Sequence, residues 1–182
     1  MSKLAGVDTY LGPEMKSTGE VMGIDYTLDA ALAKAILAAG LALPPDSGIL
    51  ISIADRDKAE ALPIIRKLAA AGSILYATEG TAAMIEAAGL PVKIASKIID
   101  KSGPNIIDLI NEGTIGGVVN TMTGGGNVPF RDGFYIRRAA AEKRIPCFTS
   151  LDTIRAAAEA MARGSRIFSA QPLPDYRNRR PE

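Results

Sequence analysis

The sequence contains no histidine, no tryptophan and a single cysteine, Cys147. Without histidine it lacks the side chain that most often serves as general base near neutral pH and as metal ligand. One thiol closes no intramolecular disulfide and builds no thiolate metal cage. No metal site is therefore expected, and any chemistry would have to run on carboxylates, lysines and hydroxyls. Aromatic residues make up only 5% of the chain, so the core has to be aliphatic. No stretch approaches the roughly 18 consecutive apolar residues needed to cross a bilayer. Residues 1–6 lack the charged-then-apolar layout of a secretory signal. The 21 basic and 20 acidic residues leave a net charge of +1, without the basic excess of a nucleic-acid surface. These absences predict a cytoplasmic protein with neither membrane nor nucleic acid as partner.

What is present is an alternation. The chain has 182 residues, enough for one domain with an attached arm and a sizeable core. From Gly48 onward, short β-branched runs alternate with alanine-rich stretches of helical period. Strands are predicted over 48–53, 73–77, 91–95, 117–120 and 145–148. Helices are predicted over 58–71, 81–88, 104–111, 131–143 and 150–163. Gly72, Gly89 and Gly113 serve as helix stops, and Ser150-Leu-Asp-Thr153 as a helix start. Five strand–helix repeats with right-handed crossovers predict an α/β fold: a three-layer, doubly wound, mainly parallel five-stranded sheet. In such folds ligands sit beyond the C-terminal strand ends, where the strand order reverses.

The ends of the chain differ from its middle. Residues 1–47 read as an N-terminal arm or linker with one helix over 29–39 and a stiff Pro44-Pro45 junction. Residues 48–165 form the α/β domain. Residues 166–182 are a proline- and arginine-rich tail, expected to be disordered or draped on the surface.

Candidate functional groups fall at the strand ends. The first strand runs into Ser52-Ile-Ala-Asp-Arg-Asp-Lys58, which places a cation at a helix start, against the helix dipole. A solvated surface lysine explains Lys58 taken alone. The second strand runs into Ala77-Thr-Glu-Gly-Thr81, where Gly80 permits close backbone approach and Thr78 and Thr81 offer hydroxyls. Helix capping is the plainer reading of those threonines. Ser96-Lys97 follows the third strand. Asn120-Thr121-Met122-Thr123 and the loop Gly124-Gly-Gly126 follow the fourth, and the loop reads equally as a flexible turn. Taken together, four strand ends offering lysine, hydroxyl or amide make a phosphate site the better reading. Neither a Gly-Lys-Ser/Thr loop nor a Gly-x-Gly-x-x-Gly fingerprint follows the first strand, which speaks against a dinucleotide cofactor. Asp55 and Asp57 read either as an acid pair or as helix caps. Asp100 and Asp108 read as loop and helix-surface residues, Cys147 as a buried structural thiol, and Arg137-Arg138 as helix surface in preference to an anion contact.

Two stretches carry a resemblance. Gly12-Pro-Glu-Met-Lys-Ser-Thr-Gly-Glu-Val-Met-Gly23 closely resembles the segment that leads into the C-terminal domain of the carbamoyl-phosphate synthetase large subunit. The motifs at Ser52 to Lys58, Ala77 to Thr81 and Asn120 to Thr123 resemble the allosteric, methylglyoxal-synthase-like domain of that subunit. So do Arg131-Asp-Gly-Phe-Tyr-Ile-Arg-Arg138 and Ile145-Pro-Cys-Phe-Thr-Ser-Leu-Asp-Thr153, all in order and spacing. The resemblance implies a regulatory domain that binds a nucleotide effector of the UMP or IMP type. It would act on the synthetic domains of the same subunit, which use ATP and metal ions that this chain is not expected to hold. A glutaminase small subunit would be a further partner in the whole ligase, which serves pyrimidine and arginine synthesis. Carried over by motif, the effector-binding residues are Lys58, Thr78, Gly80, Thr81, Lys97, Asn120, Thr121 and Thr123, with no catalytic residue in this chain. Some relatives read Asn-Thr-Thr at positions 120–122, and many carry cations in the next loop, where this chain has Gly124-Gly-Gly-Asn127. That loss favours a monophosphate over a triphosphate. The alternative is a stand-alone lyase of the methylglyoxal synthase type. It would need an aspartate base and histidines where the chain reads Lys101-Ser-Gly-Pro-Asn105. A cyclohydrolase of the same fold would need a histidine-containing basic stretch that is also missing.

Overall fold

A computed structural model describes residues 20–96, 105–121, 132–163 and 170–178 of the chain. The first strand, β1 (Gly48–Ser52), is buried along its first four residues. Its run of isoleucine and leucine suits a strand covered on both faces. It lies at the centre of a five-stranded sheet with β2 (Ile74–Ala77), β3 (Lys93–Ile94), β4 (Ile115–Asn120) and β5 (Cys147–Phe148), in the order β3-β2-β1-β4-β5. All of these pairings are parallel. The chain steps outward from β1 to β3, then returns to the other side of β1 for β4 and β5. The order therefore reverses beside β1, which marks the C-terminal edge of β1 and β4 as the place for a ligand.

The pleat of β1 divides the interior into two cores. Ile49 and Ile51 face one side, Leu50 the other. The first core is closed by α2 (Lys58–Ala70), α3 (Glu79–Ala87) and α6 (Leu151–Arg163), with Ile64, Leu68, Ile85 and Ile154 among the buried side chains. Helix α1 (Leu28–Ala38) adds Ile36 to the same core and packs against α6. The second core lies under α4 (Ile106–Asn111) and α5 (Asp132–Glu142), with Ile106, Ile110, Ile136 and Ala140. As the composition requires, these cores are almost wholly aliphatic, with Tyr76 and Phe148 as their aromatic members.

The predicted elements are present, and the differences at their ends have local causes. Helix α3 begins at Glu79 rather than residue 81, because the carbonyl of extended Thr78 accepts from the amides of both Thr81 and Ala82 at 2.8 Å. Gly80 and Thr81 therefore lie inside its first turn. Strand β5 is shorter than 145–148, because Pro146 has no amide to give the ladder; its carbonyl still accepts from Val118 at 2.8 Å. Gly72 and Gly89 follow α2 and α3 with φ of +91° and +75°, the left-handed geometry that ends a helix. Ser150 Oγ accepts from the amide of Asp152 at the start of α6, as expected.

Of the two readings of the tail, disordered or draped on the surface, its described residues 170–178 fit the second. Residues 173–178 form a short helix, α7 (Leu173–Asn178), docked on the segment before α1. The Tyr176 and Tyr26 ring centroids are 5.0 Å apart, and Tyr26 OH donates to the Asp175 carbonyl at 3.2 Å. Lys34 Nζ donates to Tyr176 OH at 2.7 Å and to the Ile24 carbonyl at 3.0 Å, and pairs with Asp25 at 2.8 Å.

Candidate anion-binding edge

The C-terminal end of β1 is tied to its two neighbours by threonine hydroxyls. Past Ser52 the chain no longer pairs with a strand, so the amides of Ile53 and Ala54 need other acceptors. Ile53 N–H donates to Thr81 Oγ1 at 3.1 Å, and Ala54 N–H donates to Thr121 Oγ1 at 2.9 Å. Thr81 comes from the first turn of α3 on the β2 side, and Thr121 from the end of β4 on the other. They are 1% and 7% exposed, so these hydroxyls are buried polar groups whose acceptor side is satisfied from within. Thr78 Oγ1 lies 3.4 Å from Thr81 Oγ1.

Lys58 opens α2 after a 3-10 turn over Asp55–Asp57. Its position against the helix dipole is compensated locally. Nζ donates to the carbonyl of Gly80 at 2.7 Å and pairs with Asp55 at 2.7 Å. The hydrogen bond and charge of Lys58 hold the Asp55 carboxyl below the usual carboxylate range. The Asp55 side chain is 93% exposed, so this pair is weak and easily exchanged for another anion. Neither aspartate caps α2: its N-cap, Asp57, makes no side-chain capping bond and instead pairs with Arg56 at 3.3 Å. Asp55 and Asp57 thus form neither an acid pair nor the expected caps. At Gly80 an added Cβ would meet nothing nearer than Lys58 Nζ at 3.6 Å. That is an ordinary van der Waals contact, so among the described residues nothing requires glycine there.

Asn120 ends β4 opposite Ser52 and is 3% exposed. Its Oδ1 accepts from Arg137 Nη1 at 2.5 Å. Gly133, one turn earlier on α5, lies under the same contact: an added Cβ would fall 3.1 Å from both Arg137 Nη1 and Asn120 Oδ1. Arg137, read from the sequence as helix surface in preference to an anion contact, instead reaches the candidate edge through Asn120. The four-residue spacing of Gly133 and Arg137, which sets both on one helix face, was the available signal. Arg138 does lie on the surface, paired with Glu142 at 2.8 Å. Asp108 accepts from Asn105 Nδ2 at the start of α4. Burial pushes the Cys147 thiol up, against the opposing charge of Arg137, which leaves it a poor nucleophile.

Lys58, Thr78, Gly80, Thr81, Asn120 and Thr121 thus meet at one edge of the sheet, linked through β1. Lys97, Thr123, the Gly124–Gly126 loop and Asp100 lie outside the described residues. Among the described residues no cluster of carboxylates and thiol suits a metal ion, and no helix is long and apolar enough to cross a membrane.

A parallel sheet in the order 3-2-1-4-5, with polar groups gathered where that order reverses, defines a class, and residues 60–149 match the family model described as the MGS-like domain. The chain belongs to the MGS-like domain family. It is 52% identical over 179 residues, 98% of its length, to the carbamoyl phosphate synthase large chain of Thermomicrobium roseum, and it spans 16% of that relative. The family match encloses Thr78 to Thr121, while Lys58 stands two residues ahead of it.

Proposed function

We propose that this chain is the allosteric effector-binding domain of a carbamoyl-phosphate synthetase large chain, and that the β2-β1-β4 edge binds a nucleoside monophosphate of the UMP or IMP type. The observation that carries the reading is the convergence on one strand end of Lys58 from α2, Thr81 from α3, and Asn120 and Thr121 from the end of β4. Such an edge offers an oxyanion a cation and several short donors, the recognition chemistry of a phosphate. The likeness over 98% of the chain to a carbamoyl phosphate synthase large chain supports the regulatory setting. In that setting the domain itself is non-catalytic. It transmits effector binding to ATP-using synthetic domains of the same cytoplasmic subunit, which work with a glutaminase partner to make carbamoyl phosphate for pyrimidine and arginine synthesis. No cofactor belongs to this chain. Lys97 and Thr123 complete the proposed phosphate contacts.

The test is a thermal melt of the chain with UMP, IMP and UTP. A ligand at 100 times its Kd should stabilise the chain by about 2.7 kcal/mol. Unmoved melting temperatures with all three nucleotides would sink the reading, as would methylglyoxal formation from dihydroxyacetone phosphate.

A further inference from the structure

We infer that Arg137 is a positioning residue: it fixes the direction of the Asn120 amide and so helps make the strand-end edge a set of donors that accepts only fully deprotonated oxyanions. The inference rests on the effector reading and names the chemical form of ligand that the edge would take.

The argument begins with the inventory of hydrogens. A guanidinium has donors and no acceptor. The atom of Asn120 that faces Arg137 Nη1 at 2.5 Å is therefore the carbonyl oxygen, and the amide nitrogen, which passes 3.5 Å from the Cβ position of Gly133, keeps its two hydrogens for partners other than Arg137. Gly133 permits the approach, since a side chain there would press on both partners. The threonines follow the same logic. Backbone amides are donors at any ordinary pH, so the bonds from Ile53 and Ala54 occupy lone pairs of Thr81 and Thr121 and leave each hydroxyl hydrogen to be given elsewhere. Lys58 carries three hydrogens and no lone pair. Each of these groups has an accepting atom engaged from inside the fold or has none; the other acceptors beside them are the Thr78 hydroxyl, which faces Thr81, and the Asp55 carboxylate, which Lys58 holds. Among the described residues, a ligand oxygen that still carries a proton meets acceptors chiefly at Thr78 and at Asp55, which is already paired, while a dianionic phosphomonoester matches the donors. A nucleoside, or a singly protonated phosphate, matches them poorly.

The chain is well suited to the test, because it has no histidine side chain to titrate between pH 5.5 and 7.5. Binding of UMP and IMP to the full 182-residue chain is measured by calorimetry at both values. With a second phosphate pKa of about 6, the dianion fraction predicts affinity about fourfold weaker at pH 5.5. Arg137→Met should weaken UMP binding at pH 7.5 by about tenfold or more, and Arg137→Lys, which still donates, by distinctly less. Asn120→Asp keeps the contact with Arg137 but turns a carboxylate oxygen outward, and should abolish binding. In the wild-type chain, the side-chain amide signals of Asn120 in a proton–nitrogen spectrum should move on adding UMP, a readout that needs no variant to fold. Wild-type binding that is equal at the two pH values, or Arg137→Met binding within about twofold of wild type, overturns this inference while leaving the effector reading intact. Wild-type chain that shows neither heat nor spectral change with UMP and IMP overturns both.

Discussion

Lys58 Nζ donates to the carbonyl of Gly80 at 2.7 Å, joining the first turn of α2 to the first turn of α3 across 22 residues of sequence. The contact holds the ammonium over the β1–β2 edge. It also explains how a cation is kept at a helix start: the Gly80 carbonyl and the Asp55 carboxylate together offset the unfavourable dipole.

Replacing Lys58 with methionine should therefore cost ligand affinity far more than fold stability. UMP binding should fall by at least about tenfold, the loss of one charge-assisted contact. The urea midpoint should move little, because the Asp55 partner is exposed. Calorimetry and urea titration on the same variant separate the two effects.

Thr81 should behave in the opposite way. Its hydroxyl is the acceptor for the buried Ile53 amide, so Thr81→Val strands a donor and should destabilise the fold by about 1–3 kcal/mol. Thr81→Ser, which keeps the oxygen, should recover most of that loss. Equal urea midpoints for valine and wild type would show that Ile53 has another acceptor.

At the back of β4, Gly117 is crossed by the side chain of Leu43, whose Cδ2 an added Cβ would strike. Gly117→Ala should destabilise by about 1–3 kcal/mol through overpacking. Shortening the neighbour in Leu43→Ala should absorb part of that cost, so the double variant should be more stable than the sum of the two singles. A strictly additive double-mutant cycle would contradict the contact.

The docking of α7 on the segment before α1 should respond to pH. The hydrogen bond from Lys34 holds the Asp25 carboxyl below its ordinary value, and the same bond raises the Lys34 ammonium. For a lowered carboxyl the stabilisation is present at neutral pH and fades as pH falls below about 3.8. For a raised ammonium it holds through about 10.5 and is lost above. Lys34→Met and Tyr176→Ala should speed hydrogen exchange over residues 20–27 at neutral pH. Exchange there unchanged in both variants would contradict the clasp.

Much of this architecture was legible because period and punctuation agree. The run Gly48-Ile-Leu-Ile declares a strand buried on both faces, and Gly72 and Gly89 end their helices where the sequence places them. Strand ends as the place to look for a ligand follow from topology alone. The roles within that edge were harder to read. Nothing local to Thr81 or Thr121 announces that the amides of Ile53 and Ala54, 28 and 67 residues away, will take their oxygens. Arg137 was hidden for a related reason: a basic pair on an alanine-rich helix looks like solvated surface until the sheet brings Asn120 beneath it. Helix α7 escaped notice because six residues give too little periodicity to stand out, and its partners Tyr26 and Lys34 are about 140 residues distant.

The division of the interior has a mechanical consequence. Lys58 and Thr81 ride on helices seated in one core, whereas Arg137 rides on a helix seated in the other, with the sheet between them as a diaphragm. A molecule gripped at this rim draws on both sides at once. Its binding would set the spacing of the two helical layers directly, much as a pin through a hinge sets the angle of its leaves.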